Sequence, residues 1–189
     1  YNVSDTNEIK LIGKNEYNCS AFVIQELVVP PLPIVNFKTV DTVGCEPFLA
    51  NFENNSLYAT SYEWYFGDNT LSNVPNPEHL YLDGSYGVTL IATDDQGCKD
   101  SLSIENYIYI LNKPIADFEY EAEDDPLLYG TINFVSKSED ASFYIWNFEG
   151  TTVSSDSLEA RYTYEIYGDK EVSHISRNEN NCSDTITKI

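Results

Sequence analysis

The sequence of 189 residues contains no methionine and few basic residues. Ten Lys and Arg stand against 31 Asp and Glu, so the formal net charge is -21 at pH 7. This balance excludes a nucleic-acid-binding protein, because such proteins need a basic face to neutralise phosphates. No run of about 18 apolar residues is present, which excludes a membrane-spanning helix. The start at Tyr1 and the missing methionine lead us to expect a piece of a longer exported polypeptide.

Histidine is scarce as well, and the sequence offers no catalytic motif. His79 and His174 are the only histidines, and neither accompanies the Glu and second His that a zinc protease requires. The nucleophile elbow Gly-x-Ser-x-Gly and the phosphate-binding Gly-x-x-x-x-Gly-Lys are absent, and the spacing of the four cysteines fits no zinc site. We therefore expect no enzymatic activity and no cofactor.

The residues that are present favour β-strands. Hydrophobic residues make up 42% of the chain and aromatic residues 14%, which is enough to build a core. Apolar side chains alternate with polar ones, as at Tyr62, Trp64 and Phe66, and this is the period of a half-buried strand. Asn, Asp, Gly and Pro interrupt the pattern about every ten residues. The sequence therefore predicts an all-β fold of antiparallel sandwiches.

The chain also repeats itself. The segment Pro-Ile-Val-Asn-Phe37 recurs 81 residues later as Pro-Ile-Ala-Asp-Phe118, and Tyr-Glu-Trp64 recurs 82 residues later as Tyr-Ile-Trp146. Self-similarity at a fixed period is the signature of a repeat protein. His174 takes the place of an inward-facing leucine in the earlier copy, so we expect it to be a hydrogen-bonded core residue.

The cysteines indicate that the first thirty residues belong to the same repeat pattern. Cys98 lies 79 positions after Cys19, and similar residues surround both cysteines. We predict three domains: the C-terminal half of a preceding repeat at 1–30, a full repeat at 31–112, and a divergent repeat at 113–189. Proline in Val29-Pro-Pro-Leu-Pro33 and Lys113-Pro114 predicts stiff connections between them.

One family shares these motifs. The segment Trp64-Tyr-Phe-Gly-Asp-Asn69 resembles the Trp-Asp-Phe-Gly-Asp-Gly signature of polycystic-kidney-disease (PKD) domains, and Asn76-Pro-Glu-His-Leu-Tyr81 resembles their Asn-Pro-x-x-x-Tyr. The last repeat keeps Trp146-Asn-Phe148 but has Glu149-Gly150 in place of Gly-Asp-Gly. The resemblance implies tandem immunoglobulin-like (PKD-type) antiparallel β-sandwiches in an extended rod.

Structural roles are expected for the residues of these motifs. Each tryptophan should fill the space between two sheets. Gly67 should permit a backbone conformation with positive φ, and the carboxylate of Asp68 should cap the turn. The predicted structural residues are Trp64, Phe66, Gly67, Asp68, Tyr81, Trp146 and Phe148.

The sandwich implied by the resemblance constrains the disulfides. Cys45 is expected at the start of the second strand, at the end of the domain where the chain leaves for the next repeat. Cys98 and Cys182 are expected in the last hairpin of their repeats, at the opposite end. A bond between Cys45 and Cys182 follows, with Cys19 and Cys98 paired to upstream repeats; a bond within one repeat that leaves Cys182 over is the alternative. Such a bond stabilises a fold by about 3–5 kcal/mol if loop-closure entropy governs.

Calcium is the one ion that the acidic composition suggests, since hard carboxylate ligands suit it. No Asp-x-Asp-x-Asp-Gly loop is present, so we predict no confident metal site. Several Asp-Ser/Thr-apolar triplets, which include Asp100-Ser and Asp184-Thr, resemble an O-glycosylation motif of Bacteroidetes secreted proteins. The weak calcium candidates are Asp117, Glu119, Asp124 and Asp125, with Asp94 and Asp95 on a facing loop.

The resemblance is to PKD-repeat proteins of Bacteroidetes such as gliding-motility adhesins, which the type IX secretion system exports. It implies a non-catalytic stalk or adhesive segment at the extracellular bacterial cell surface. Its partners would be neighbouring repeats, outer-membrane secretion or anchoring components, and surface polysaccharide or another adhesive ligand. Alternatives are an accessory module of a secreted hydrolase and a surface-layer structural protein. A carbohydrate platform would need exposed aromatic rings, for which Tyr65, Tyr107 and Tyr109 are the outward candidates.

Overall fold

The computed structural model of the protein describes residues 5–122, 130–149, 151–155, 157–166 and 168–189, and within them it contains strands and no helix. No described element is a helix able to cross a membrane. The strands are β1 (Asp5–Lys14), β2 (Ser20–Val29), β3 (Phe37–Thr39), β4 (Val43–Cys45), β5 (Phe48–Asn54), β6 (Ser61–Tyr65), β7 (Leu71–Ser72), β8 (Glu78–Tyr81), β9 (Gly84–Thr93), β10 (Lys99–Leu111), β11 (Phe118–Ala122), β12 (Thr131–Ser136), β13 (Phe143–Phe148), β14 (Thr151–Ser155), β15 (Glu159–Thr163), β16 (Val172–Arg177) and β17 (Ser183–Lys188).

These strands form five sheets. Two of them, β4-β10-β9-β6-β7 and β3-β5-β8, are built from residues 37–111, and two more, β11-β12-β15 and β14-β13-β16-β17, from residues 118–188. The fifth is the hairpin β1-β2. β6 pairs antiparallel with both β7 and β9, whereas the short β4 runs parallel to the end of β10. The prediction of an all-β fold is therefore confirmed.

Two compact units divide the chain. The first comprises Tyr1–Thr42, Leu49–Leu80 and Ser85–Ile108, and the second comprises Val43–Phe48, Tyr81–Gly84 and Tyr109–Ile189. The boundaries predicted at residues 30 and 112 are a different division, and they stay a prediction.

The core of the first unit is built around Trp64, which has no exposed surface. Phe37 meets its ring edge-on with centroids 5.2 Å apart, and Phe66 stacks parallel to it at 6.4 Å. Val88 and Leu90 of β9 close the same core and are fully buried. Such aromatic pairs contribute about 0.5–1.5 kcal/mol each beyond the area that they bury.

The second unit has the same arrangement around Trp146. Phe118 meets this ring edge-on at 5.4 Å, and Phe148 stacks parallel to it at 6.3 Å. Tyr162 stacks on Phe148 at 4.6 Å. All seven predicted structural residues can now be placed: Trp64, Phe66, Tyr81, Trp146 and Phe148 are buried, Asp68 is half-buried, and Gly67 lies exposed in a turn.

Candidate functional site: a disulfide-bonded linker

The predicted bond between Cys45 and Cys182 is present. The two Cα atoms are 5.5 Å apart, within the range that an unstrained disulfide requires, and 137 positions separate the residues in the sequence. Cys45 ends the short strand β4 and precedes the cis peptide Glu46-Pro47, so the expectation that it begins the second strand is wrong. An extra short strand here carries the chain past the end of β10 before β5 begins.

The turn between β16 and β17 presents Cys182. The side-chain oxygen of Asn178 accepts hydrogen bonds from the backbone N–H of Asn180 and of Cys182, and Asn181 takes a left-handed φ of 64°. Asn is one of the few residues that tolerate this conformation. The side chain of Asn178 thereby fixes the turn, and it also fixes the backbone position of Cys182.

The same turn occurs twice more. Asp94 accepts from the N–H of Gln96 and of Cys98 before β10, and Asn15 accepts from the N–H of Tyr17 and of Cys19 before β2. Neither Cys19, which is exposed, nor Cys98, which is half-buried, forms a disulfide. The Asp94 carboxylate raises the pKa of the Cys98 thiol, which keeps that thiol protonated and slow to react.

The carboxylate of Glu46 anchors the chain on both sides of the disulfide. Its two oxygens accept hydrogen bonds from the backbone N–H of Asp83 and of Lys113, at 3.2 and 3.3 Å. Its own N–H donates to the carbonyl of Leu111 at 3.0 Å. Glu46 therefore holds together the loop before β9, the end of β10 and the start of the predicted linker at Lys113-Pro114.

Asp184, two residues after Cys182, holds the linker from the other side. Its carboxylate accepts from Lys113 Nζ at 2.7 Å and from the backbone N–H of Ala116 at 3.0 Å. Burial opposes the charge, but the bonds from Lys113 and Ala116 prevail and lower the pKa of this carboxyl. Asn178 adds a bond from its side-chain nitrogen to the carbonyl of Asn112. Pro114 between these anchors is fully buried, as a fixed linker requires.

Asp100, two residues after Cys98, has a role that corresponds to that of Asp184. Asp100 follows Cys98 and accepts a hydrogen bond from the N–H of Val35 at 3.0 Å. The Cys-x-Asp spacing in both segments is the signal for this role, whereas the Asp-Ser/Thr triplets suggest glycosylation. In the structure they hold the backbone, and the following Ser101 and Thr185 are exposed. Glycosylation stays a prediction.

The signature turn of the first unit is held by Asp68, which behaves as predicted. Gly67 has a φ of +87°, and Asp68 accepts from both the backbone N–H and the hydroxyl of Thr70. A further partner was missed: His79 Nε2 lies 2.7 Å from the Asp68 carboxylate, and its ring stacks on Phe66 at 4.1 Å. Burial opposes ionisation, but the bonds from Thr70 and His79 lower the pKa of Asp68.

His174 is fully buried in the second unit, stacked on Trp146 at 4.0 Å. Its Nε2 lies within hydrogen-bond distance of the hydroxyls of Ser136 and Ser138, at 2.9 and 3.2 Å. Burial lowers the pKa of this imidazole to about 4, although a backbone contact at Ile145 and the Asp117 charge oppose the shift. The residue is a neutral, hydrogen-bonded part of the core at pH 7.

Two of the weak calcium candidates are paired with lysines. Asp117 pairs with Lys188 at 2.7 Å and Glu119 with Lys137 at 3.3 Å, so both carboxylates already have a cation. Asp124 and Asp125 lie outside the described residues. Among the residues that the structure describes, no group of three or more metal-binding side chains is found.

Of the three tyrosines predicted to point outward, two are exposed in the structure and one is not. Tyr65 and Tyr109 are exposed, but the prediction for Tyr107 is wrong. Its hydroxyl accepts from the N–H of Thr39, and its ring meets Phe37 edge-on at 5.5 Å. The preceding Asn106 has a left-handed φ of 51°, which breaks the alternation of β10 and turns the next side chain inward.

Comparisons with known proteins agree with the signature motifs. The family model of the PKD domain matches residues 28–110. The PKD1 domain of Vibrio anguillarum Epp is 25% identical, covering 42% of this chain and 96% of that domain with a TM-score of 0.36. The PKD1 domain of the Vibrio cholerae metalloprotease PrtV is 29% identical (41% and 98% covered, TM-score 0.34). A Methanosarcina mazei protein solved by NMR is 36% identical (44% and 56% covered, TM-score 0.35). Residues 28–110 are therefore similar to a PKD domain, which is immunoglobulin-like.

Proposed function

We propose that this chain is a non-catalytic stalk segment of a large secreted cell-surface protein, of the gliding or adhesion type. PKD-type domains are generally non-catalytic and are found in extracellular adhesive or accessory modules. A disulfide is typical of proteins outside the reducing cytosol, which supports an extracellular location. The resemblance of the motifs to Bacteroidetes repeat proteins extends the proposal to export by the type IX secretion system.

The observation that carries the proposal is the linker around Pro114. One disulfide, one ion pair and several side-chain bonds to the backbone fix about five residues of connecting chain. A short linker needs little of this merely to join two domains, and ordinary linkers between domains are free to bend. We infer that a segment fixed this strongly preserves orientation across the proposed repeat boundary at residue 112, while the disulfide carries force past it. The proposed role is therefore mechanical.

The two free cysteines suggest that the same kind of disulfide joins other repeats of a longer polypeptide. Cys19 and Cys98 occupy the same locked turn as Cys182, which is bonded to Cys45. We place their partners in upstream repeats, at the position that corresponds to Cys45. Each repeat would then be bonded to its neighbour, and the domains at 1–30, 31–112 and 113–189 would be successive members of one rod.

Sedimentation and small-angle scattering of the oxidised chain test this proposal. We expect an extended monomer at all concentrations, and we expect the double variant Cys45→Ser/Cys182→Ser to be a monomer with a broader distribution of end-to-end distances. Concentration-dependent assembly into sheets would favour the surface-layer alternative. Saturable binding of a polysaccharide or collagen by the isolated chain would favour the accessory-module alternative, and either result would contradict a purely mechanical role.

A further inference from the structure

The β1-β2 hairpin exposes an apolar face that a stable domain would cover. In the described residues it pairs with no third strand, and every residue of β2 is exposed. One face carries Ile9, Leu11, Val23 and Leu27, each between 50 and 69% exposed. An isolated two-stranded hairpin is marginally stable in water, and a contiguous apolar patch marks an interaction surface.

The opposite face of the hairpin has a different chemistry. Glu8, Lys10 and Glu26 lie there, and Lys10 Nζ sits 4.2 Å from the centre of the Phe22 ring. The apolar residues on this face are Ile12, Phe22, Ile24 and Val28. Charged side chains that cover an aromatic ring are typical of a solvent-facing sheet surface. Apolar side chains lie on both faces, but Glu8, Lys10 and Glu26 are all on this one, so the face with Ile9 and Leu11 is better suited to burial.

The β9-β10 hairpin shows what that face becomes in a complete sandwich. Counting from the shared cysteine turn, Ile9 and Leu11 correspond to Val88 and Leu90. Those two residues are 0% exposed, against 54 and 69% for Ile9 and Leu11. The same chain thus contains one copy of the hairpin with this face in the core and one copy with it open.

A tryptophan-bearing strand pairs with the edge of the hairpin in both completed copies. In the first unit β6 pairs with β9 and places Trp64 opposite Leu90. In the second, β13 pairs with β16 and places Trp146 opposite His174. Leu11 holds this same position in β1, whose outer edge pairs with nothing among the described residues.

We propose that the free edge of β1 accepts an antiparallel strand of the Tyr-x-Trp-x-Phe type, with the tryptophan opposite Leu11. Ile9, Leu11 and Val23 then form one half of a sandwich core, and the front half of a repeat of this same kind supplies the other. Backbone hydrogen bonds along the edge give affinity, and the aromatic side chain gives register. The inference rests on the repeat organisation proposed above and not on what the stalk attaches to.

Hydrogen exchange in a chimera tests this inference. A copy of residues 31–80, which contains β6, is placed directly before Tyr1, since Tyr1 takes the place of Tyr81 in the repeat frame. The copy carries Cys45→Ser, so the result does not depend on the proposed disulfides. We expect the amides of residues 5–29 to exchange at least tenfold more slowly in the chimera than in the chain of 189 residues.

Two substitutions within the chimera distinguish the faces. Leu11→Asp puts a charge on the face to be buried and should abolish the protection, whereas Ile12→Asp puts the same charge on the opposite face and should leave most of it. Should the chimera fail to fold, the copied segment added as a separate polypeptide to the intact chain provides the same readout.

Unchanged exchange of residues 5–29 in both formats would overturn the inference, as would equal effects of Leu11→Asp and Ile12→Asp. Protection that rises with the concentration of the unmodified chain would identify a second copy as the occupant and would also contradict it. Assembly or saccharide binding by the unmodified chain would refute the stalk and leave this exchange result unaffected, so the two failures are distinguishable.

Discussion

At the scale of the residue, His174 illustrates how a polar side chain is accommodated in a core. It lies opposite Trp146, where the first unit has Leu90 opposite Trp64. Its ring fills the apolar space by stacking on Trp146, and the hydroxyls of Ser136 and Ser138 satisfy Nε2. This solution works only while the imidazole is neutral, because a buried cation without a carboxylate partner is costly.

His174 therefore makes the second unit sensitive to acid. Its pKa is about 4 in the folded protein and about 6.5 in the unfolded chain, so the unfolded state binds more protons between these values. Stability is complete above pH 6.5 and falls by about 3 kcal/mol as the pH drops to 4. Urea unfolding between pH 4 and 7.5 measures this slope.

The matched variant for this prediction is His174→Leu, which restores the leucine of the first unit. It should flatten the part of the slope that lies between pH 4 and 6.5. An unchanged slope would show that His174 is not buried in its neutral form.

Asp184 provides a second prediction at this scale. Asp184→Asn removes the ion pair with Lys113 and weakens the bond from the Ala116 N–H, at a site where both side chains are only about a third exposed. We expect a loss of about 1 kcal/mol in the free energy of unfolding.

The control for Asp184→Asn is Glu53→Gln, which breaks the ion pair with Lys38 on an open surface. Those side chains are 58 and 62% exposed, so we expect a change below about 0.5 kcal/mol. Equal losses in the two variants would mean that the linker is no better ordered than the surface.

At the scale of the element, the tight turns decide where strands end. Gly67, after β6, and Gly97, before β10, have nearly the same positive φ of 87 and 86°. They differ in their surroundings: a Cβ on Gly67 would lie 2.5 Å from the carbonyl oxygen of Gly87, whereas nothing lies within 4 Å of one on Gly97.

Comparing alanine substitutions at Gly67 and Gly97 distinguishes the cost of backbone strain from the cost of a steric clash. Gly97→Ala should cost about 1 kcal/mol through the left-handed conformation alone. Gly67→Ala carries the same strain plus the contact with Gly87, so we expect a loss of about 3 kcal/mol or more by thermal or urea unfolding. Similar costs at the two sites would contradict the close approach at Gly67.

The sequence predicted the main strands, but it did not predict the orientation of Tyr107 or the backbone contacts of Asp100 and Asp184. Alternation around Trp64 and Trp146 predicted the strands because burial on one face imposes a period of two. Alternation failed at Tyr107, since the left-handed Asn106 is a local backbone choice that hydrophobicity does not encode. The backbone bonds of Asp100 and Asp184 span 65 and 68 positions, so they depend on where two distant segments meet.

At the scale of the whole molecule, the disulfide determines how tension passes through the chain. The bond joins Cys45 to Cys182, so a pull on the two termini runs through residues 1–45, crosses the bond and leaves through residues 182–189. Most strands of both units lie in the loop between the cysteines. Those strands are shielded from stretching, which suits a stalk that must bear force without lengthening.

Force spectroscopy on the chain held by its termini is the most direct test of this mechanical account. Without reductant, we expect unfolding to release only residues outside the loop. With reductant, or in Cys45→Ser/Cys182→Ser, the maximal extension should grow by up to about 480 Å, the extended length of the 137 positions that the bond spans. The same extension in both conditions would show that the bond does not carry the load and would contradict the proposed stalk.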